Sequence, residues 1–211
     1  MADREALVAL SAAVASRDDA ALDAALRQAA DRADPAAVEE VLLQAHLFVG
    51  FPFALEALTR WRSLRGGPAP GARDEGPALW ATRGVEVCET VYGGNYPKLR
   101  RNVAAIHPDF DRWMVEGGYG RVLGRPGLDL ATRELCVAAL LAAWDAPRQL
   151  HSHLRGALNA GATVAETERA VELACRLLGP DAAARARELW RTVRDRQTTA
   201  GPDTAARATS G

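Results

Sequence analysis

Alanine fills about a fifth of this chain and favours helix wherever the apolar spacing allows it. Valine and isoleucine are too sparse to furnish a sheet. The expected fold is therefore all-α. Helix breakers divide it further. Residues 3–65 read as four short helices, with breaks near Ser16 to Asp18, at Asp34-Pro35 and at Gly50-Phe51-Pro52. The stretch Gly66-Gly67-Pro68-Ala69-Pro70-Gly71 reads as a linker. Helices are predicted at about 78–92, 97–106 and 109–123, with turns at Gly93-Gly94 and His107-Pro108. After the turn Arg125-Pro126-Gly127, four more helices are expected over about 130–195, and the polar tail 196–211 should fray.

The two groups of four helices read as an internal repeat. A shift of 129 positions superimposes Arg4-Glu5 on Arg133-Glu134, Val8-Ala9 on Val137-Ala138, and Trp61-Arg62 on Trp190-Arg191. Alanine matches carry no weight in so alanine-rich a chain, but the punctuation does. Asp34 and Thr163 are both good N-caps, one followed by Pro35 and the other by Glu166 at capping-box spacing. Gly50 and Gly179 both suit the C-terminal cap of the same helix. The expected organisation is a degenerate N-terminal repeat at 1–65, a Gly/Pro-rich linker at 66–77, a second repeat-bearing domain at 78–195 and a flexible tail at 196–211.

Bulk properties exclude several classes. With 48% hydrophobic residues, 25% charged residues and a formal net charge of -1, the chain is neither a disordered polyelectrolyte nor a protein that grips nucleic acid through bulk charge. Three scattered cysteines cannot staple 211 residues. The longest apolar run, Leu135 to Trp144, is too short to cross a bilayer. The opening Met1-Ala2-Asp3-Arg4-Glu5 has no features of a signal peptide. A soluble, reduced, cytoplasmic protein with no membrane or nucleic-acid partner is expected. Lys98 stands alone among 25 arginines, a bias read as genome composition.

The motif inventory is short. No Gly-rich phosphate loop, Cys-x-x-Cys or His-Glu-x-x-His occurs. Cys88, Cys136 and Cys175 read as small buried hydrophobes. His151 and His153 stand roughly 200° apart around a helix, so they cannot share a metal ion, and no metal site is expected. His153 is the inward one, on a stripe with Leu150, Leu154 and Ala157, whereas His151 looks outward beside Arg148 and Arg155. Glu134 stands near the start of the preceding helix. Antiparallel packing of the two helices would bring its carboxylate to the imidazole, an arrangement suited to proton transfer. Without that contact, Glu134 would simply complement a helix dipole.

The run Arg133-Glu134-Leu135 through His151-Ser152-His153-Leu154-Arg155-Gly156-Ala157-Leu158-Asn159-Ala160-Gly161-Ala162-Thr163 resembles the carboxymuconolactone decarboxylase family. So do Tyr119-Gly120-Arg121-Val122-Leu123, Arg125-Pro126-Gly127-Leu128-Asp129-Leu130, and, in the first repeat, Glu40 to Gln44 and Gly50 to Leu55. The resemblance implies an all-α helical bundle of the alkylhydroperoxidase D-like type. It also implies one of two chemistries. Thiol peroxidases of this superfamily would carry cysteines at 146 and 149, where this chain has Ala146 and Gln149. The decarboxylase branch is cofactor-free and keeps a histidine at the position of His153.

Loss of CO2 from an unsaturated lactone acid needs an electron sink in the substrate, a proton donor for the resulting dienolate, and cations for the carboxylates. The resemblance casts His153 as the donor and Glu134 as the group that orients it. Arg155, Arg121, Arg125 and Arg133 are candidate carboxylate grips. In the first repeat Ala24 replaces the histidine. A composite pocket is therefore expected, with Glu134 and His153 on one wall and Gln44, Phe48 and Gly50 to Pro52 on the other. Phe48 stands where the family often has tyrosine. The leading expectation is a cofactor-free lyase on a small carboxylated lactone or similar acid. An inactive relative that binds a small molecule or partner is the alternative, and a thiol-dependent antioxidant acting through Cys136 comes third. The resemblance also implies a homo-oligomer, trimer or hexamer.

Overall fold

The computed structural model describes residues 3–68, 70–72 and 75–199, and every regular element among them is helical. Local chemistry sets most of the boundaries. The Asp3 side chain accepts from the amides of Glu5 and Ala6 to start α1 (Arg4–Ser16), and Arg17, at φ 58°, ends it. Asp18 caps α2 (Asp19–Arg32) in the same way. Asp34 caps α3 (Pro35–Arg65), with Pro35 in its first turn. Gly50 breaks α3 at φ 79° and ψ 169°, a backbone shape that L side chains resist. By length and apolar composition α3 could cross a membrane, but this break divides it into halves that are each too short to span a hydrocarbon core.

The second half follows as α4 (Pro77–Tyr92), a single 3-10 turn at Gly93–Asn95, α5 (Tyr96–Ile106) and α6 (Pro108–Trp113). Next come α7 (Leu130–Ala143), α8 (Pro147–Asn159), α9 (Val164–Cys175) and α10 (Pro180–Thr199). The Thr163–Glu166 capping box forms in both directions. Helices start at Pro35 and Val164, the chain resumes helical geometry after the break at Gly50, and α10 starts at Pro180. Trp61 and Trp190 both lie in the core, and their indole N–H groups have no hydrogen-bond partner among the described residues.

Three expectations need correction. The segment 109–123 is not one regular helix, because α6 passes into a π-helical stretch, Met114–Leu123. Glycines are poor α-formers, and here they also permit close packing. A Cβ on Gly84 would strike the Val115 backbone, and one on Gly120 would strike that of Trp80. Gly179 does not close α9, which ends at Cys175; the glycine has no left-handed φ and stands immediately before Pro180. Finally, α10 runs past residue 195 to Thr199, and the remainder of the expected tail, 200–211, lies outside the described residues.

Helix α7 is the axle of the fold. Residues from Ala131 to Ala142 are all buried, which explains why the helix is apolar on every side. Helices α1, α3, α8 and α9 surround it. Against α1, the Ser11 hydroxyl donates to the Cys136 carbonyl at 2.7 Å. Against α8 it presents Glu134.

Candidate active site

The short turn after α7 sends α8 back antiparallel, and the expected contact forms. Nδ1 of His153 lies 2.8 Å from Oε2 of Glu134, with the histidine 5% and the glutamate 0% exposed. Glu134 thus points into the core instead of merely facing a helix dipole. Space for its carboxylate comes from Gly156, one turn after His153 on α8, because a Cβ there would collide with Oε2 and with Val91. The carboxylate, as acceptor, fixes Nδ1 as the protonated nitrogen and leaves Nε2 for chemistry. The other oxygen, Oε1, is buried and has no hydrogen-bond partner among the described residues. Such an atom is costly in a core.

Phe48 from α3 meets the His153 ring edge-on, with centroids 5.7 Å apart. A second buried pair was not anticipated from sequence. The hydroxyls of Tyr92, at the end of α4, and Tyr119, in the π-helical stretch, are hydrogen-bonded to one another. Burial pushes both phenols up, Tyr119 well above its ordinary value, and the negative charge of Glu134 acts in the same direction on each. Both therefore remain neutral hydroxyls at ordinary pH. The available signal was compositional, since two of only three tyrosines flank glycine-rich turns.

The arginines divide into two groups. Arg133 is 0% exposed. Its Nη2 donates to Glu40 and to the Arg125 carbonyl, each at 2.8 Å, Nη1 to Gln44 at 3.1 Å, and Nε to the Leu128 carbonyl at 3.3 Å. Gln44 returns a bond from Nε2 to the Arg133 carbonyl at 3.3 Å, and Arg125 donates from Nε to Glu40 at 3.0 Å. This cluster clasps α3 to α7. Burial lowers the pKa of Arg133, while Glu40 opposes the shift. The expectation that Arg133 and Gln44 grip substrate is corrected accordingly. The polar side-chain atoms of Arg133 and Gln44 are engaged within the cluster and sealed from solvent, whereas Arg125 commits only Nε to Glu40 and keeps its side chain partly exposed. Glu40, quoted only as part of the resemblance, proves to be the anion at the centre.

Arg121 and Arg155 remain exposed. The Arg121 guanidinium lies over the Trp80 ring, 5.0 Å from its centroid. Arg155 lines a cavity on the α8 face that also bears Ser152. Of the expected second wall, Phe48 reaches His153, Gln44 is bonded to the residue before Glu134, and Phe51 is largely exposed and stacks on His46. All three cysteines are free and buried, and burial pushes the thiols of Cys88 and Cys136 up to about 12. Among the described residues, no group of three or more His, Cys, Asp or Glu could hold a metal ion.

Core helices of this bundle bring a buried glutamate onto a buried histidine, an arrangement suited to acid–base chemistry, and all three cysteines are buried. The sequence model of the carboxymuconolactone decarboxylase family matches residues 108–192, from α6 into α10. The nitrosuccinic acid decarboxylase npaB of Metarhizium robertsii is 34% identical over 89 residues; the match covers 42% of this chain and 62% of that protein. The family segment contains Tyr119, Glu134, His153 and Arg155, whereas Glu40, Gln44 and Phe48 lie outside it.

Proposed function

We propose that this protein is a cofactor-free carboxy-lyase acting on a small acid whose reacting carbon adjoins an electron sink. The observation that carries this reading is the 2.8 Å Glu134–His153 contact, sealed in the core with one carboxylate oxygen unpartnered. The family model that matches residues 108–192 and the relative's name support the same chemistry. In the proposed reaction, the bond between the reacting carbon and its carboxylate breaks and CO2 departs. The electron pair enters the sink, an unsaturated lactone or a nitro group, and the imidazolium of His153 then delivers its proton to the carbanionic carbon. Glu134 keeps Nδ1 protonated and offsets the imidazolium charge. Solvent reprotonates Nε2.

One observation favours a second reading, a binding protein that has lost the chemistry: Phe48 packs on a His153 that is only 5% exposed. The two are separated by incubating wild type and His153→Ala with γ-carboxymuconolactone and with nitrosuccinic acid, without added metal or thiol, and measuring CO2. Turnover that vanishes in the variant is expected. Turnover that survives would remove His153 from the mechanism, and none with either acid would favour the binding protein. We also propose a homo-oligomer, trimer or hexamer, that covers exposed Phe51, Ile106, Phe110 and Trp113. Sedimentation as a monomer would overturn that assignment.

A further inference from the structure

The cavity between α4, α5 and α8 belongs to neither the Glu134–His153 pair nor the Arg133 clasp. It has a volume of about 240 Å³, below the 300–1,000 Å³ of pockets for drug-sized ligands and on the scale of a small acid. Its lining includes Lys98 and Asn102 from α5, Ser152 and Arg155 from α8, and Asn95 and Tyr92 beside them. No aspartate or glutamate lines it.

We propose that this cavity is a binding site for a small dicarboxylate. Lys98, the chain's sole lysine, and Arg155 approach it from different helices. Neither has a carboxylate partner among the described residues. Cations from two helices suit two carboxylates on one short chain, and the Asn102 amide adds a neutral donor to the lining. Asn159 braces the wall, donating from Nδ2 to the Val91 carbonyl at 2.9 Å. The net charge of the lining is positive, so an anion entering it meets attraction and no carboxylate to repel it.

The cavity also adjoins the candidate active site. Val91, which lines it, and Oε2 of Glu134 both lie against the position that a Cβ on Gly156 would take, and the lining residue Tyr92 is hydrogen-bonded through its hydroxyl to buried Tyr119. His153 itself does not line it. The site therefore holds an acid near the pair but not against it, and the identity of that acid as substrate rests on the decarboxylase reading. Its capacity to bind does not.

Equilibrium binding of succinate, an unreactive dicarboxylate, separates the two. Calorimetric titration of wild type should show saturable binding that weakens with added salt, because both cations are exposed. Lys98→Gln and Arg155→Gln should each weaken it roughly tenfold, and His153→Ala should leave it unchanged. In a turning-over enzyme, the same two variants should raise KM and spare kcat. Absence of saturable succinate binding to wild type, or wild-type affinity in the double variant, would overturn the site. Binding lost with Lys98 and Arg155 in a protein that releases no CO2 would keep the site and discard the decarboxylase.

Discussion

Gly156 lies directly against the carboxylate of Glu134, in space that a single methyl group would take away. Glycine inside a helix normally costs about 0.5–1 kcal/mol relative to alanine, so Gly156→Ala would ordinarily stabilise α8. Here the added Cβ overlaps Oε2 and presses on Val91, and overpacking of this kind costs about 1–3 kcal/mol. The collision outweighs the propensity gain. Gly156→Ala should lower the urea midpoint and reduce turnover; an unchanged midpoint would show that the glutamate can move aside freely.

Glu134→Gln is nearly isosteric, so it tests charge rather than packing. The amide can still meet His153 but can no longer offset an imidazolium. Turnover should fall by roughly 10²–10⁴-fold, the range for a general acid–base contribution, while the thermal midpoint moves little. A variant as active as wild type would leave the pair a structural contact only.

Removing Glu40 should cost far more stability than removing any exposed ion-pair partner. Its carboxylate sits between the guanidiniums of Arg133 and Arg125. Glu40→Ala would strand a buried cation, a change that typically costs about 3–5 kcal/mol. Glu56→Ala, which breaks an exposed i,i+4 pair with Arg60, should cost under about 1 kcal/mol. Denaturant titration of the two variants side by side checks the contrast, and equal losses would refute it.

The thiols set an alkaline limit. Burial holds Cys88 and Cys136 protonated up to about 12, against an ordinary value of 9.0. Because the folded values are raised, the stabilisation is whole below pH 9 and is lost as pH climbs from 9 towards 12. The native protein should resist a thiol-specific disulfide reagent at pH 8 and react once unfolded. Replacing both cysteines with alanine should flatten stability across that alkaline window. Rapid reaction of native Cys136 at pH 8 would instead revive thiol chemistry.

Much of this molecule was legible before folding. Asp3, Asp18, Asp34 and Thr163 fix helix starts through bonds to amides a few residues away, and Gly50 breaks α3 by its own backbone freedom. The inward turn of His153 and its meeting with Glu134 followed from helical spacing and one short antiparallel connection. The π-helical stretch was not legible, because its Gly120 serves a contact with α4 that no local pattern announces.

The roles of the arginines divide in the same way. By itself, the sequence determined an all-α chain, a Glu–His pair and a surplus of guanidinium groups, since helix spacing and residue type are local properties. Only tertiary structure decided that Arg133 clasps Glu40 and Gln44 across 93 and 89 positions of chain, while Arg155 faces a cavity with Lys98. A guanidinium has the same charge and shape wherever it stands. Whether it holds the fold together or awaits an anion depends on which carboxylate the packing of distant helices brings beside it.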